Sequence, residues 1–546
     1  MKKKTVKRLL AAVLTAGLLL SGCGGGAGTE PSDEAKPEAE TGTESEADAE
    51  GAQADAEGSE GEKTWSEDEI ITLKLFCDEI WWPYDEWSGR IPDIVTEKFG
   101  IKFEVTVPSD VNQLNMMIAS GDLGDLVCSG KFTRLSDSNI CYSLDELAEE
   151  YNTDLDIHSV MRFVNTADDG KLYTQMVGYS PNSVLADWDK VVYEQAGMVI
   201  RTDIYEELGS PALNNLDDFS NLLQSVKENY PDIVPFAYNY SFTNDYIKIL
   251  CGATPNEDGF VDVDGKAVPF IMDPNLLGYY EQMNDWYRKG YMTDENFAWT
   301  GNEDQDLMIS GKLFADSFYS NAGDVFNPKL EQAGVDFRVQ LLIDMTRGQE
   351  GAHWTQTTAG WRGLFIPRSC SDPERVLEFC KWAWSDEGQE LLLWGEEGKD
   401  WDWDEDHSYP ILNYDFEAPN TEDGVKFWGW MCHDGKTNVL PGYGNGGFTY
   451  DARVALTEIS DANPVLGMLR MGADSNEQVI MDNLRELYMN ESTNIITAGS
   501  AEECKAKYES MLETAKKMGA DQLTEWANEK YVSLKAEYDK IKDNVE

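Results

Sequence analysis

Apolar residues recur along this chain with two periods. Ile70 to Cys77, IITLKLFC, is interrupted only by Thr72 and Lys74 and predicts a buried strand, while Ile101, Phe103, Val105 and Val107 alternate with polar residues as a second one. Between them, Ile91 to Gly100 reads as a short helix stopped by its glycine. Asp110 is placed to cap a helix with Leu114, Met117 and Ile118 on one face; Gly121 ends that helix, and Asp125 to Cys128 resumes an apolar strand. Alternation of strand and helix predicts an α/β sheet.

The same punctuation continues. Asn215 precedes Leu216, Phe219, Leu222, Leu223 and Val226 at helical spacing, and Pro373 falls in the first turn of a helix carrying Val376, Leu377, Cys380 and Trp384. Ser500-x-x-Glu503 is a capping box for a helix with Cys504, Tyr508, Met511, Leu512 and Ala515 on one face, ended by Gly519. A last helix begins near Asp521 and carries Leu523, Trp526, Ala527 and Leu534, so the chain ends helical. No repeat of fixed period occurs. With 546 residues, 41% of them hydrophobic, the chain exceeds one core and predicts two or more domains.

One apolar run does not belong to the folded body. Lys2, Lys3, Lys4, Lys7 and Arg8 precede Leu9 to Leu20, which is shorter than the ~20 residues a spanning helix needs and reads as the core of an export signal. It ends in Leu20-Ser21-Gly22-Cys23, which resembles the lipobox of bacterial lipoproteins. That resemblance implies a signal peptide over 1–22, diacylation of Cys23, and a protein held on the outer face of the membrane by two acyl chains, so its function is exercised outside the cell. Gly24 to Thr64 holds 13 Asp or Glu, two Lys and no aromatic residue; with Cys23 it predicts a disordered acidic tether over 23–64, folding beginning near Trp65.

Charge narrows the partners. The chain carries a net −57, and about −62 once the five cations of the signal are removed, which repels nucleic acid and anionic headgroups. Apart from Cys23, the eight cysteines (77, 128, 141, 251, 370, 380, 432 and 504) show no CxxC and no spacing to histidine; they read as buried free thiols rather than a metal site or a chosen set among 105 pairings. Asp400, Asp402, Asp404 and Asp406 alternate in KDWDWDEDH, but Glu405 stands where a calcium loop needs Gly and Leu412 where it needs Glu, so no metal is expected there. The histidines (158, 353, 407 and 433) form no HExxH, no GxSxG or phosphate loop occurs, and neither catalysis nor a cofactor is predicted.

Four stretches carry a further resemblance: MIASGDLGDL (Met117 to Leu126), VIRTDIYEELGSPALNNLDDF (Val199 to Phe219), MISGKLFADS (Met308 to Ser317) and SCSDPERVLEFCKWAWSDEGQELLLWGEEG (Ser369 to Gly398). In that order, behind a lipobox, they look like the extracellular solute-binding lipoproteins of ABC importers, of family 1 type and its large branch for oligosaccharides such as aldouronates. Gly124 departs from the proline usual in ASGDxPD. The resemblance implies a type II periplasmic-binding-protein-like fold, with two discontinuous α/β lobes joined by hinge crossovers, C-terminal helices, and a ligand held as the lobes close. On this reading lobe 1 takes 65–190 plus 350–440 and lobe 2 takes 191–349 plus 441–546, with crossovers near Val191 to Val199, Leu341 to Trp354 and Asn413 to Pro441. It further implies a monomer that works with the permease subunits of a transporter.

A sugar-binding cleft needs flat apolar surface for pyranose faces and planar polar groups for hydroxyls. Seventeen tryptophans supply the first. Trp81 and Trp82 follow the first strand, where an open α/β sheet offers its ligand-facing loop; Trp354 and Trp361 flank the second expected crossover, and Trp428 and Trp430 lie near the third. Ser129, Gly130 and Lys131, at the end of the third strand, have the same kind of position. Arg362, a cation beside Trp361 in an acidic chain, is expected to pair with a carboxylate on a uronic-acid ligand. Two other readings stay open, a peptide receptor of the same fold and a surface-anchored glycoside hydrolase, which needs two carboxyls roughly 5 to 10 Å apart.

Overall fold

The computed structural model describes residues 66–181, 196–238, 245–299, 302–319, 322–414, 422–445 and 448–544. The signal, Cys23, the acidic tether and residues 191–195 of the first expected crossover lie outside them. Among the described residues no helix is long and apolar enough to cross a membrane.

Two four-stranded sheets organise the chain. In the first, Ile71–Cys77 lies parallel to both Ile101–Thr106 and Leu126–Ser129, and Gly363–Phe365, far along the chain, closes the far edge antiparallel to Leu126–Ser129. In the second, Leu313–Tyr319 runs between Val234–Tyr238, parallel, and Ala196–Arg201, antiparallel, with Val339–Leu341 beyond. Both sheets are covered on both faces, which is why their strands read as nearly continuous apolar runs. In the first strand, Leu73, Leu75 and Cys77 meet the helix Pro373–Trp384 through Val376, Leu377 and Cys380, whereas Phe76 joins Leu114, Leu135 and Tyr173 on the opposite face.

The helix boundaries follow their caps. The Asn215 side chain accepts from the Asp218 amide, Asp372 accepts from the Arg375 amide behind Pro373, and Ser500 accepts from the Glu503 amide. The reciprocal arm expected of the capping box is displaced by one residue, since the Glu503 carboxylate takes the Gly499 amide at 2.9 Å. Asp110 is not a helix cap. Its carboxylate takes the Asn112 amide in a turn, and the helix starts at Gln113.

The two sheets share the chain unevenly. Val160, Met161 and Val164 pack into the core of the second sheet, as do Trp354, Ala359 and the C-terminal helices through Leu523, Tyr531 and Tyr538. Val425, Trp428, Met431 and Cys432 lie in the core of the first sheet, so the chain leaves that core beyond Cys432. Trp354–Gln356 and Ser460–Ala462 pair as a separate parallel two-stranded ribbon, with Trp354 in the second core.

Two buried features set the chemistry of the interior. The eight cysteines among the described residues are free, seven of them buried and Cys251 half-buried. In the second core, Lys248 is buried with its ammonium 3.2 Å from Asp245 and paired with Glu257, near the rings of Phe270 and Tyr488.

Candidate functional site

The sheet topology brings Trp81 and Trp361 together. Trp81 lies in the turn after the first strand, and Trp361 stands two residues before the start of the edge strand Gly363–Phe365, which the antiparallel pairing sets beside Leu126–Ser129. Their rings stack at 6.4 Å with an interplanar angle of 22°, and Trp430 meets Trp81 edge-on at 5.4 Å. Trp81 is 48% exposed and Trp361 42%, a large apolar surface left open where most indoles of this chain are covered. Trp361 lies against the backbone of Gly178, where φ is +86° and an added Cβ would meet the indole at 2.9 Å; only glycine fits beneath the ring.

Arg362 lies under this surface and is not part of it. It is 0% exposed, with its guanidinium carbon 3.5 Å from the Trp361 ring centre and 5.0 and 5.2 Å from those of Trp81 and Trp82. Its Nη2 lies 2.9 Å from Glu79 Oε1, an ion pair whose angle falls short of a hydrogen bond, and its three nitrogens have no hydrogen-bond partner. The expected pairing with a ligand carboxylate is therefore corrected. The carboxylate within reach is the chain's own Glu79, and the cation acts on the indoles above it, where a desolvated cation–π contact contributes about 2 kcal/mol.

The other expected site residues divide by burial. Trp82 and Trp428 are core to the first sheet and Trp354 to the second, so none of the three presents a ring face outward; Trp430 is half-buried. Ser129 is fully buried; its hydroxyl donates to Asp78 at 2.8 Å, and the same Oγ accepts the Lys131 amide at 3.0 Å, which fixes the following turn. Burial pushes the Asp78 carboxyl up, against the pull of Ser129, Lys131 and Arg362. Lys131 is exposed. In the acidic loop, Asp400 is tied to Arg90 at 2.6 Å and Asp404 takes the Ser408 and Tyr409 amides, so both are engaged by the chain itself. Among the described residues no group of three or more potential ligands could hold a metal ion.

Beside Trp361 opens a cavity of about 470 Å³. One wall is Gly130 to Arg134, helical from Phe132, the rim is Thr358 to Trp361, and the cavity is completed by Arg470, Met471, Gln478 and Asp482. Sequence reasoning reached Lys131 and Trp361 but missed Arg134 and Arg470, which belong to no motif and do not directly adjoin a strand end.

The fold has many structural counterparts. An alginate-binding protein, AlgQ2, shares 17% identity over 86% of this chain and 100% of its own, with a TM-score of 0.62. FusA of Streptococcus pneumoniae, an ABC-transporter substrate-binding protein seen with fructo-nystose, shares 15% over 86% and 100%, at 0.63. A solute-binding protein of Bifidobacterium longum infantis that binds HMO shares 12% over 84% and 98%, at 0.58. The fold is that of the two-domain solute-binding proteins. No protein-family model and no curated protein matches the sequence. At these identities the likeness establishes the fold, and the α/β architecture expected from the sequence stands with it.

Proposed function

We propose that this protein is a receptor that captures an oligosaccharide at the Trp81–Trp361 face and passes it, uncleaved, to an ABC importer. The observation that carries the reading is the pair of stacked, half-exposed indoles. Two indoles within 22° of parallel, each nearly half exposed, offer flat apolar surface to the C–H face of a pyranose, and their support by buried Arg362 holds them ready before ligand arrives. The solved proteins that share the fold and bind alginate, fructo-nystose or HMO add to this reading. Glycan binding tests it. Trp361→Ala and Trp81→Ala are each expected to cost about 1 to 3 kcal/mol of affinity for any bound oligosaccharide, by lost ring contact. Calorimetry with hits from a glycan array reads the loss, and unchanged affinity in both variants would sink the site.

Binding without turnover is part of the proposal. The two carboxyls closest to the platform in sequence, Asp78 and Glu79, are held by Ser129 and Arg362 and so are ill placed to serve as a free acid and base. Chromatography of ligand after overnight incubation checks this, cleaved product being the contrary result.

The anchor is read from Leu9 to Cys23 alone. Cys23→Ala is expected to send the protein into the medium, because nothing else in the first 64 residues would hold it once the signal is removed. Retention on salt-washed membranes would contradict the lipoprotein reading.

A further inference from the structure

Three cations line the cavity beside Trp361: Lys131 and Arg134, at the start of and within the short helix Phe132–Leu135 that follows the third strand, and Arg470 from a segment far along the chain. Asp482 is the one acidic residue among those lining it, and it is bonded to Gln478 at 2.8 Å. A local excess of positive charge is unexpected in a chain of net charge −57. The usual explanation for clustered cations is ion pairing within the chain, and it fails here. Among the described residues no carboxylate lies within ion-pair distance of Lys131, Arg134 or Arg470. The acids that act on them from nearby are already engaged: Asp258 by Arg485 at 2.8 Å, Asp168 by Lys530 at 3.1 Å and Asp78 by Ser129.

Arg470 is also held in place. The ring of Phe132 lies 3.7 Å from its guanidinium carbon and Nη2 donates to the Val164 carbonyl at 3.0 Å, so one edge of the fork is fixed while the rest meets no acceptor among the described residues. Its burial pushes the guanidinium down to about 10, a cost that an anion in the cavity would offset. A space of about 470 Å³ lies within the roughly 300 to 1,000 Å³ of small-ligand sites.

We propose that this cavity binds an anionic group, carboxylate or sulfate, on the sugar unit next to the one stacked at Trp361. Arg470 supplies the fixed two-pronged contact, and Lys131 and Arg134 supply charge from the segment around Phe132. Because Phe132 and Leu135 pack with the first sheet whereas Leu469 and Met471 pack with the second, an anion between these segments also bridges the two halves of the fold. The proposal rests on the receptor reading of the Trp81–Trp361 face.

The test uses the full chain in detergent with four probe sets: uronate-bearing oligosaccharides and their carboxyl-reduced forms, sulfated oligosaccharides and their desulfated forms. Calorimetry is expected to show at least one acidic probe bound about 10- to 100-fold more tightly than its neutral counterpart, the range of a charged hydrogen bond. Which arm shows the preference identifies the anion. Arg470→Gln, and separately Lys131→Gln at an exposed position, are expected to remove most of that preference and to change affinity for the neutral form less than about threefold. Two results overturn the proposal while leaving the receptor reading in place: neutral forms bound as tightly as acidic ones with Trp361-dependent affinity, or an acid preference that survives both substitutions. Failure to bind any probe of either kind overturns the receptor reading, and the proposal with it.

Discussion

Glu79→Ala is expected to destabilise the fold by about 3 to 5 kcal/mol, more than Arg362→Met does, although the arginine is the larger side chain. Removing the glutamate leaves a guanidinium with no exposed surface and no hydrogen-bond partner, the costly way to break a buried pair. Removing the arginine leaves a carboxylate that is 26% exposed and can rehydrate, so the loss is mainly of packing against three indoles. The double variant should therefore be close to Arg362→Met and more stable than Glu79→Ala. Urea unfolding of the three proteins gives the ranking, and a Glu79→Ala variant milder than Arg362→Met would show that the cation finds water or another acceptor. Glycan affinity should fall in all three, because the platform loses its support even where stability recovers.

Lys248→Met is expected to cost about 3 kcal/mol at neutral pH, near the low end for a broken buried network, because Asp245 and Glu257 keep 31% and 27% of their side-chain surface and regain solvent. Its pH dependence has a definite sign. Burial acts to lower the Lys248 ammonium, yet Glu257 and Asp245 outweigh it and hold its pKa above the ordinary lysine value. Its stabilisation is thus complete below about pH 10.4, the unfolded value, and is lost only as pH rises further. Burial pushes Glu257 up, but Lys248 beside it holds the carboxyl below its usual range, so that share is present above about pH 4.3 and is lost as pH falls. The penalty of the substitution should be largest between about pH 5 and pH 9 and shrink below about pH 4. A penalty that does not vary with pH would mean that lost packing, and not charge, dominates.

Local structure was legible where a single stretch decides it. The apolar run of Ile70 to Cys77, the caps at Asn215 and Ser500, and Pro373 each act on residues a few places away, and the structure reproduces them. Trp81 and Trp361 were legible as exposed aromatic candidates because each adjoins a strand end. The site itself was not, because it is assembled by contacts across the chain. Nothing in GWRGLF says that Arg362 turns inward, since its burial depends on Glu79, Trp81 and Trp82, almost 300 residues upstream. Nor does LRMGAD announce Arg470, which reaches Phe132 only because the chain has passed between the two sheets. The passage expected near Asn413 to Pro441 is likewise decided by distant contacts, with Trp428 and its neighbours packed on the first sheet.

The unpaired cysteines give the molecule a particular kind of fragility. Five of them, Cys77, Cys128, Cys370, Cys380 and Cys432, share the core of the first sheet, and burial holds their thiols above the ordinary pKa, keeping them protonated and unreactive. Their reduced state is thus a property of the packing and not of the surroundings. Once that core opens, several thiols reach water together and regain their normal acidity, and in air they join into bonds that the native geometry does not contain. Opening then becomes a one-way step. In an oxidising medium the working lifetime of the protein is set by how often the first core opens rather than by the equilibrium between folded and unfolded chains, and mild reductant should lengthen it without altering a single native contact.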